Sequence, residues 1–227
     1  MKPRQKSKSE ATKILGLIRK SIKESTALGK ISREQDPTPF KVLISTILSA
    51  RTRDLVTEQA SAKLFSRFPD ASSLSKAKRG TVSKLIRPVS FYRVKAGRII
   101  QVAKIIEKEF SGVVPDNLDQ LLALPGVGRK TANCVLVYGF RRPAIPVDVH
   151  VHRVSNRIGL VDTRIPHRTE EQLSTLYKER YWLDVNELFV RFGQAICKPI
   201  RPLCEICRVK TMCNYYQLEV RKTNCPA

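Results

Sequence analysis

Acidic residues are scarce in this chain, and long apolar runs and secretory features are missing. Its 227 residues carry 20 Asp and Glu against 42 Lys and Arg, a formal net charge of +22. A membrane-spanning helix needs about 18 or more consecutive apolar residues. The best run here, Val42 to Ala50, is short and broken by Ser45, Thr46 and Ser49. The N-terminus, MKPRQKSKSE, is basic and polar, and no apolar stretch follows it as a secretory leader would require. It reads as a disordered basic tail over residues 1–10. No internal repeat or further low-complexity segment is present. The core is not starved: 42% of residues are apolar and 27% charged, the balance of a foldable globular chain. The positive surplus therefore asks for a polyanionic partner, and nucleic acid leads, because Lys and Arg that neutralise phosphates release counterions.

Helical spacing dominates what is there. Ile14, Leu15, Leu17, Ile18 and Ile22 recur at three- and four-residue intervals. Thr38-Pro39 before Phe40 to Ile44 is an N-cap followed by Pro at the first helical position of a buried helix. Further helices are expected over about 53–68, 84–87 and 92–110, the last stopped by Ser111-Gly112. A short helix is expected over 117–123, then a tight hairpin at Leu124-Pro125-Gly126-Val127-Gly128, then a helix over 129–138. Thr169 with Gln172, and Asp184 with Glu187, have the spacing of capping boxes. Val147, Val149 and Val151 alternate with Asp148, His150 and His152, a strand-like pattern. No second convincing strand exists to pair with it, so it reads as a loop entering a helix, and the fold class is all-α.

Three constellations carry chemistry. In the hairpin, two glycines permit positive φ and close backbone approach, and the helix that follows presents unpaired N–H groups, which suits a phosphate. A turn that merely packs two helices is the competing reading. Lys130 lies in the first turn of that helix. An amine attacks only when neutral, and a free lysine holds its proton to about pH 10. The helix N-terminus, adjacent Arg129 and the basic chain all disfavour one more charge, which favours a nucleophile; a simple phosphate contact is the other role. Asp148 could stabilise positive charge developing on a sugar and shuttle a proton, or serve as an N-cap, and both can coexist. The third constellation is Cys197-x6-Cys204-x2-Cys207-x5-Cys213. Four thiolates around one close pair hold either a tetrahedral zinc or an iron–sulfur cluster, and spacing alone leaves the two even. Cys134 reads as a buried apolar residue and Cys225 as an incidental tail thiol.

With Leu124-Pro-Gly-Val-Gly-Arg-Lys130-Thr-Ala, Val147-Asp148-x-His150 and the cysteine spacing in that order, the chain resembles the endonuclease III family of helix-hairpin-helix DNA glycosylases. The resemblance covers nearly everything after the tail. It implies a two-domain fold, a six-helix domain over 34–145 and a cluster domain from 11–33 and 146–227. It implies a [4Fe-4S] cluster on the four cysteines, Lys130 as the Schiff-base lysine and Asp148 as the catalytic aspartate. Gly126, Val127, Gly128, Arg129, Thr131 and His150 would contact DNA. Arg51 falls where the bacterial enzymes carry Gln and Phe91 where they carry Leu, positions that fill the gap left by a flipped base. Val149 replaces a common Thr.

The activity so implied is that of a bifunctional glycosylase and abasic-site lyase removing oxidised pyrimidines in base excision repair. The partner is double-stranded DNA with a damaged base or abasic site, met by a monomer in the cytoplasm or nucleoid of a prokaryote, with no membrane involved. A glycosylase for thymine or uracil in G mismatches is the close alternative, against which Lys130 counts. A non-catalytic iron–sulfur DNA-binding module is the alternative from another class.

Overall fold

A computed structural model describes residues 5–22 and 38–220. All regular structure in them is helical: α1 (Lys8–Arg19), α2 (Pro39–Ser49), α3 (Asp54–Phe65), α4 (Ala71–Ser75), α5 (Arg79–Leu85), α6 (Tyr92–Phe110), α7 (Leu118–Ala123), α8 (Arg129–Cys134), α9 (Val149–Ile158), α10 (Pro166–Leu176) and α11 (Trp182–Ala195). α8 runs on into a π-helical turn, Val135–Gly139. The described residues form two compact units, one within Thr26–Arg142, the other within Met1–Ser25 and Pro143–Ala227. No described helix is long and apolar enough to cross a membrane.

The unit within Thr26–Arg142 is built around α2. Thr38 caps it, its hydroxyl accepting from Lys41 N at 3.3 Å, and Pro39 opens the first turn. Every side chain from Val42 to Leu48 is buried, so this helix has no solvent face. The two polar residues of that stretch are satisfied inside: Ser45 donates to Ser61 Oγ at 3.1 Å and Thr46 to the Val42 carbonyl at 2.7 Å. Without those partners each buried hydroxyl would cost about 1–3 kcal/mol. Ile99, Val102, Ala103 and Ile106 of α6 and Ala132 and Val135 complete the core.

In the other unit α1 packs with the C-terminal helices. Ser7 and Glu10 form a capping box, and Ile14, Leu15 and Ile18 meet Val151 and Val154 of α9 and Val185 and Phe189 of α11. Tyr177 stands edge-on to Phe189 and donates to the Ala11 carbonyl at 3.0 Å.

Several local expectations are corrected. α1 begins at Lys8, inside the stretch read as a tail, because Ser7 caps it; residues 1–4 lie outside the described ones, as does Cys225. The helix expected at 84–87 occupies 79–85. Neither late capping box forms. Pro166 starts α10 before Thr169, which is then buried and bonded to His152 and Thr163. α11 starts at Trp182, and Asp184 pairs with Arg19 instead. The alternating segment is a loop followed by α9, as its lack of a partner strand required. In that helix His150 and His152 point to different partners, Arg153 and Thr169.

Candidate functional site

The hairpin joins α7 to α8. Leu124 and Val127 are buried, so they anchor it in the core, and the Val127 amide is spent on the Leu124 carbonyl at 3.1 Å. Val127, one of the expected DNA contacts, has its side chain in the core. Gly126 has φ +76, where a side chain is strained, and a Cβ there would sit 2.2 Å from Arg98 Cδ, so any larger residue would also have to displace Arg98. Gly128 does not share that conformation. It is the N-cap of α8 at φ −92°, and a Cβ placed there would meet nothing within 4 Å, which leaves the space beside the helix start open. Arg129, Lys130 and Thr131 follow in the first turn, all half-buried. Phosphate-sized anions suit such a start, because a glycine cap offers no side-chain acceptor for first-turn amides.

Arg51 and Phe91, in the same unit, both have left-handed backbones, φ 56° and 57°. Each such conformation costs a bulky residue about 1–2 kcal/mol. Both side chains are exposed, Phe91 at 61%. Strain of this kind persists where the surroundings over-determine the backbone, which is usual at functional loops.

In the other unit Asp148 caps α9. Its Oδ1 accepts from His150 N at 2.8 Å and Val151 N at 2.9 Å. Oδ2 accepts no hydrogen bond among the described residues, so the carboxylate keeps one oxygen for outside chemistry. Asn186 Nδ2 donates to the Pro146 carbonyl at 2.6 Å and fixes the approach to Asp148. Arg153, which sequence reading missed, braces the start of α9. Its guanidinium bonds the Gly193 and Cys197 carbonyls at 2.8 and 3.0 Å and lies 3.1 Å from His150 Nδ1. Gly193 permits that crossing, since a Cβ there would come within 2.9 Å of His150. Val149 is 71% exposed beside the aspartate.

The four cysteines line one small cavity of about 20 Å³. All four are free thiols. Among the described residues no three His, Cys, Asp or Glu side chains gather as closely as a single metal ion requires. Arg157 of α9 threads the loop between the ligands. It donates to the Lys198 and Pro199 carbonyls at 2.6 and 2.8 Å, reaches Cys197 Sγ at 3.8 Å, and stacks 4.6 Å over Tyr215. Burial pushes the Cys204 and Cys207 thiols up and Cys213 to about 11, so a group that takes thiolates must displace protons.

A family model described as HhH-GPD superfamily base excision DNA repair protein matches residues 44–179. Endonuclease III of Thermotoga maritima is 51% identical over 183 residues, 81% of this chain and 86% of its own. The chain belongs to the endonuclease III family. It is accordingly a base excision repair enzyme, a DNA glycosylase with abasic-site lyase activity. Among solved structures, a non-covalent endonuclease III–DNA complex superposes with a TM-score of 0.85 at 28% identity, covering 96% of this chain and 100% of that one. A trapped endonuclease III–DNA covalent intermediate gives 0.81 at 28% identity, covering 94% and 98%. The endonuclease III assignment bears on residues that lie in both units: Lys130, Arg51 and Phe91 in one, Asp148, His150 and the cysteines in the other.

Proposed function

We propose that this glycosylase and lyase removes oxidised pyrimidines from duplex DNA through an imine on Lys130. The observation that carries the reading is the position of Lys130, in the first turn behind a glycine hairpin whose Gly128 side is open. A target base stacked in a duplex exposes no path to its glycosidic bond, so it must first leave the stack. Arg51 and Phe91 fill the vacated space, Arg51 offering donors to the orphaned base and Phe91 stacking. Amides at the start of α8, with Arg129 and Thr131, hold backbone phosphate. His150, half-buried at the start of α9, adds a DNA contact.

The neutral Lys130 amine then attacks C1′, the N–C bond forming as the glycosidic bond breaks and the base leaves as its anion, which water protonates. The Asp148 carboxylate offsets the positive charge that develops on the sugar, takes up the proton shed by the amine and returns it to O4′ as the ring opens. Ring opening gives the imine, which acidifies C2′–H; its loss expels the 3′ phosphate and cuts the strand. A panel of duplexes carrying thymine glycol, a T·G mismatch or a U·G mismatch, each run with and without alkali, tests this. Thymine glycol duplexes are expected to be cut without alkali. Activity confined to the mismatches, with cutting only after alkali, would replace this reading with the mismatch one.

The four thiols, free and grouped around one cavity, fit a [4Fe-4S] cluster, the form the endonuclease III family implies. Cys197, Cys204, Cys207 and Cys213 would hold such a cluster and through it would tie the C-terminal loops together. Lys198, Arg201, Arg208 and Lys210 between those ligands add phosphate contacts. The purified enzyme is expected to be brown with about four irons per chain. A colourless protein with one zinc would refute the cluster. The enzyme acts on double-stranded DNA as a monomer in a prokaryotic cytoplasm or nucleoid.

A further inference from the structure

Arg51 and Phe91 stand on loops forty residues apart in sequence, and one buried side chain joins them. Lys95, in the first turn of α6, is 5% exposed and is the one buried lysine or arginine among the described residues. Its Nζ donates to the Leu48 carbonyl at 2.7 Å, the Ala50 carbonyl at 2.6 Å and Thr52 Oγ1 at 3.2 Å. The first two are carbonyls at the C-terminal end of α2, which lack partners along the helix. The second and third flank Arg51 on either side. Thr52 Oγ1 in turn accepts from Ser90 N at 3.3 Å, the residue before Phe91. The Lys95 amide donates to the Phe91 carbonyl at 3.0 Å. Both left-handed residues are therefore bracketed by bonds that run through one amino acid.

The chemistry selects lysine. Three acceptors surround Nζ, and an ammonium offers three donors and no acceptor. Burial, and then the nearby Arg98, draw its pKa down to about 8, so the charge is held in the core against its solvation. Its three engaged protons make it a poor nucleophile. A gap-filling side chain must enter the stack in register, and loops ordered before DNA arrives lose no entropy on binding. We propose that Lys95 is a positioning residue that holds the Arg51 and Phe91 loops as one preformed wedge, serving extrusion of the base rather than chemistry at the sugar. This rests on the reading that Arg51 and Phe91 fill the gap.

The test compares base release from a thymine glycol duplex with strand cutting of DNA already bearing an abasic site, where no base has to leave the stack. A 2-aminopurine beside the lesion reports extrusion. Lys95→Met is expected to slow single-turnover base release about tenfold and to abolish the fluorescence rise, while abasic-site cutting stays within about twofold. Thr52→Val removes the Ser90 bridge and one of the three Lys95 acceptors but leaves the Leu48 and Ala50 carbonyls in place, so it keeps the test alive if Lys95→Met fails to fold; about a threefold loss in base release alone is expected. In a Phe91→Ala background, Thr52→Val should change base release by less than about twofold, because the wedge is already gone. Equal losses on both substrates, or additive losses in that background, would overturn the clamp. If Phe91→Ala and Arg51→Ala both leave base release intact, the gap-filling reading falls and Lys95 with it. If they slow it while Lys95→Met and Thr52→Val do not, the clamp alone falls.

Discussion

Lys130→Ala is expected to lose the covalent adduct that borohydride traps on DNA with one abasic site, and to slow strand cutting on the order of 10,000-fold. The size of the effect follows from the chemistry. Imine formation needs a neutral primary amine at C1′, and water in its place leaves the hemiacetal and aldehyde of an abasic site, which acidify C2′–H far less than an iminium and need alkali to eliminate. The buried alternative, Lys95, has all three N–H bonds engaged by Leu48, Ala50 and Thr52. DNA affinity should change little, because one cation among 42 is removed and the hairpin is untouched. An adduct that persists in Lys130→Ala would remove the nucleophile assignment; a loss of binding as large as the loss of cutting would make Lys130 a phosphate contact.

Asp148 separates capping from charge. Asparagine caps a helix as well as aspartate does, so Asp148→Asn should keep the bonds to His150 N and Val151 N and leave the melting temperature nearly unchanged. It removes the negative charge, and if that charge acts on the sugar as proposed, base release should fall on the order of 100- to 1,000-fold. Asp148→Ala should show the same kinetic loss and, in addition, about 1 kcal/mol of lost stability from the missing cap. Equal activity in the wild type and Asp148→Asn would leave Asp148 as a cap and nothing more.

Much of this was legible locally. Thr38-Pro39 opens α2, Asn117 caps α7, and Ser111 and Gly112 end α6 with left-handed backbones, because each signal acts within one turn. Asp148 was readable as a cap, and Cys197 to Cys213 as one site. What escaped depends on distance in the sequence. Arg153 and Arg157 look like ordinary polar positions of an amphipathic helix, yet they bond carbonyls 40 or more residues away. Lys95 looks like a solvated residue between Val94 and Ala96, and only the end of α2 makes it a buried one. Thr169 with Gln172 matched a capping pattern, but Pro166 had already begun the helix. Gly128 matched Gly126 in type and differs in conformation, because only Gly126 lies under Arg98.

The hydrogen bond from Tyr177 to the Ala11 carbonyl spans 166 positions of the chain. It sets an order of events during synthesis. Residues of the contiguous unit have all left the ribosome by Arg142, whereas α1 has no α11 to pack against until residues 182–195 emerge. At about 5–20 residues per second that interval lasts several seconds. During it Ile14, Leu15 and Ile18 form an apolar stripe without a cover, and the cysteine site, completed by Cys213, is the last to gain its parts. The uncovered apolar stripe and the cysteine site therefore belong to the same late-folding unit.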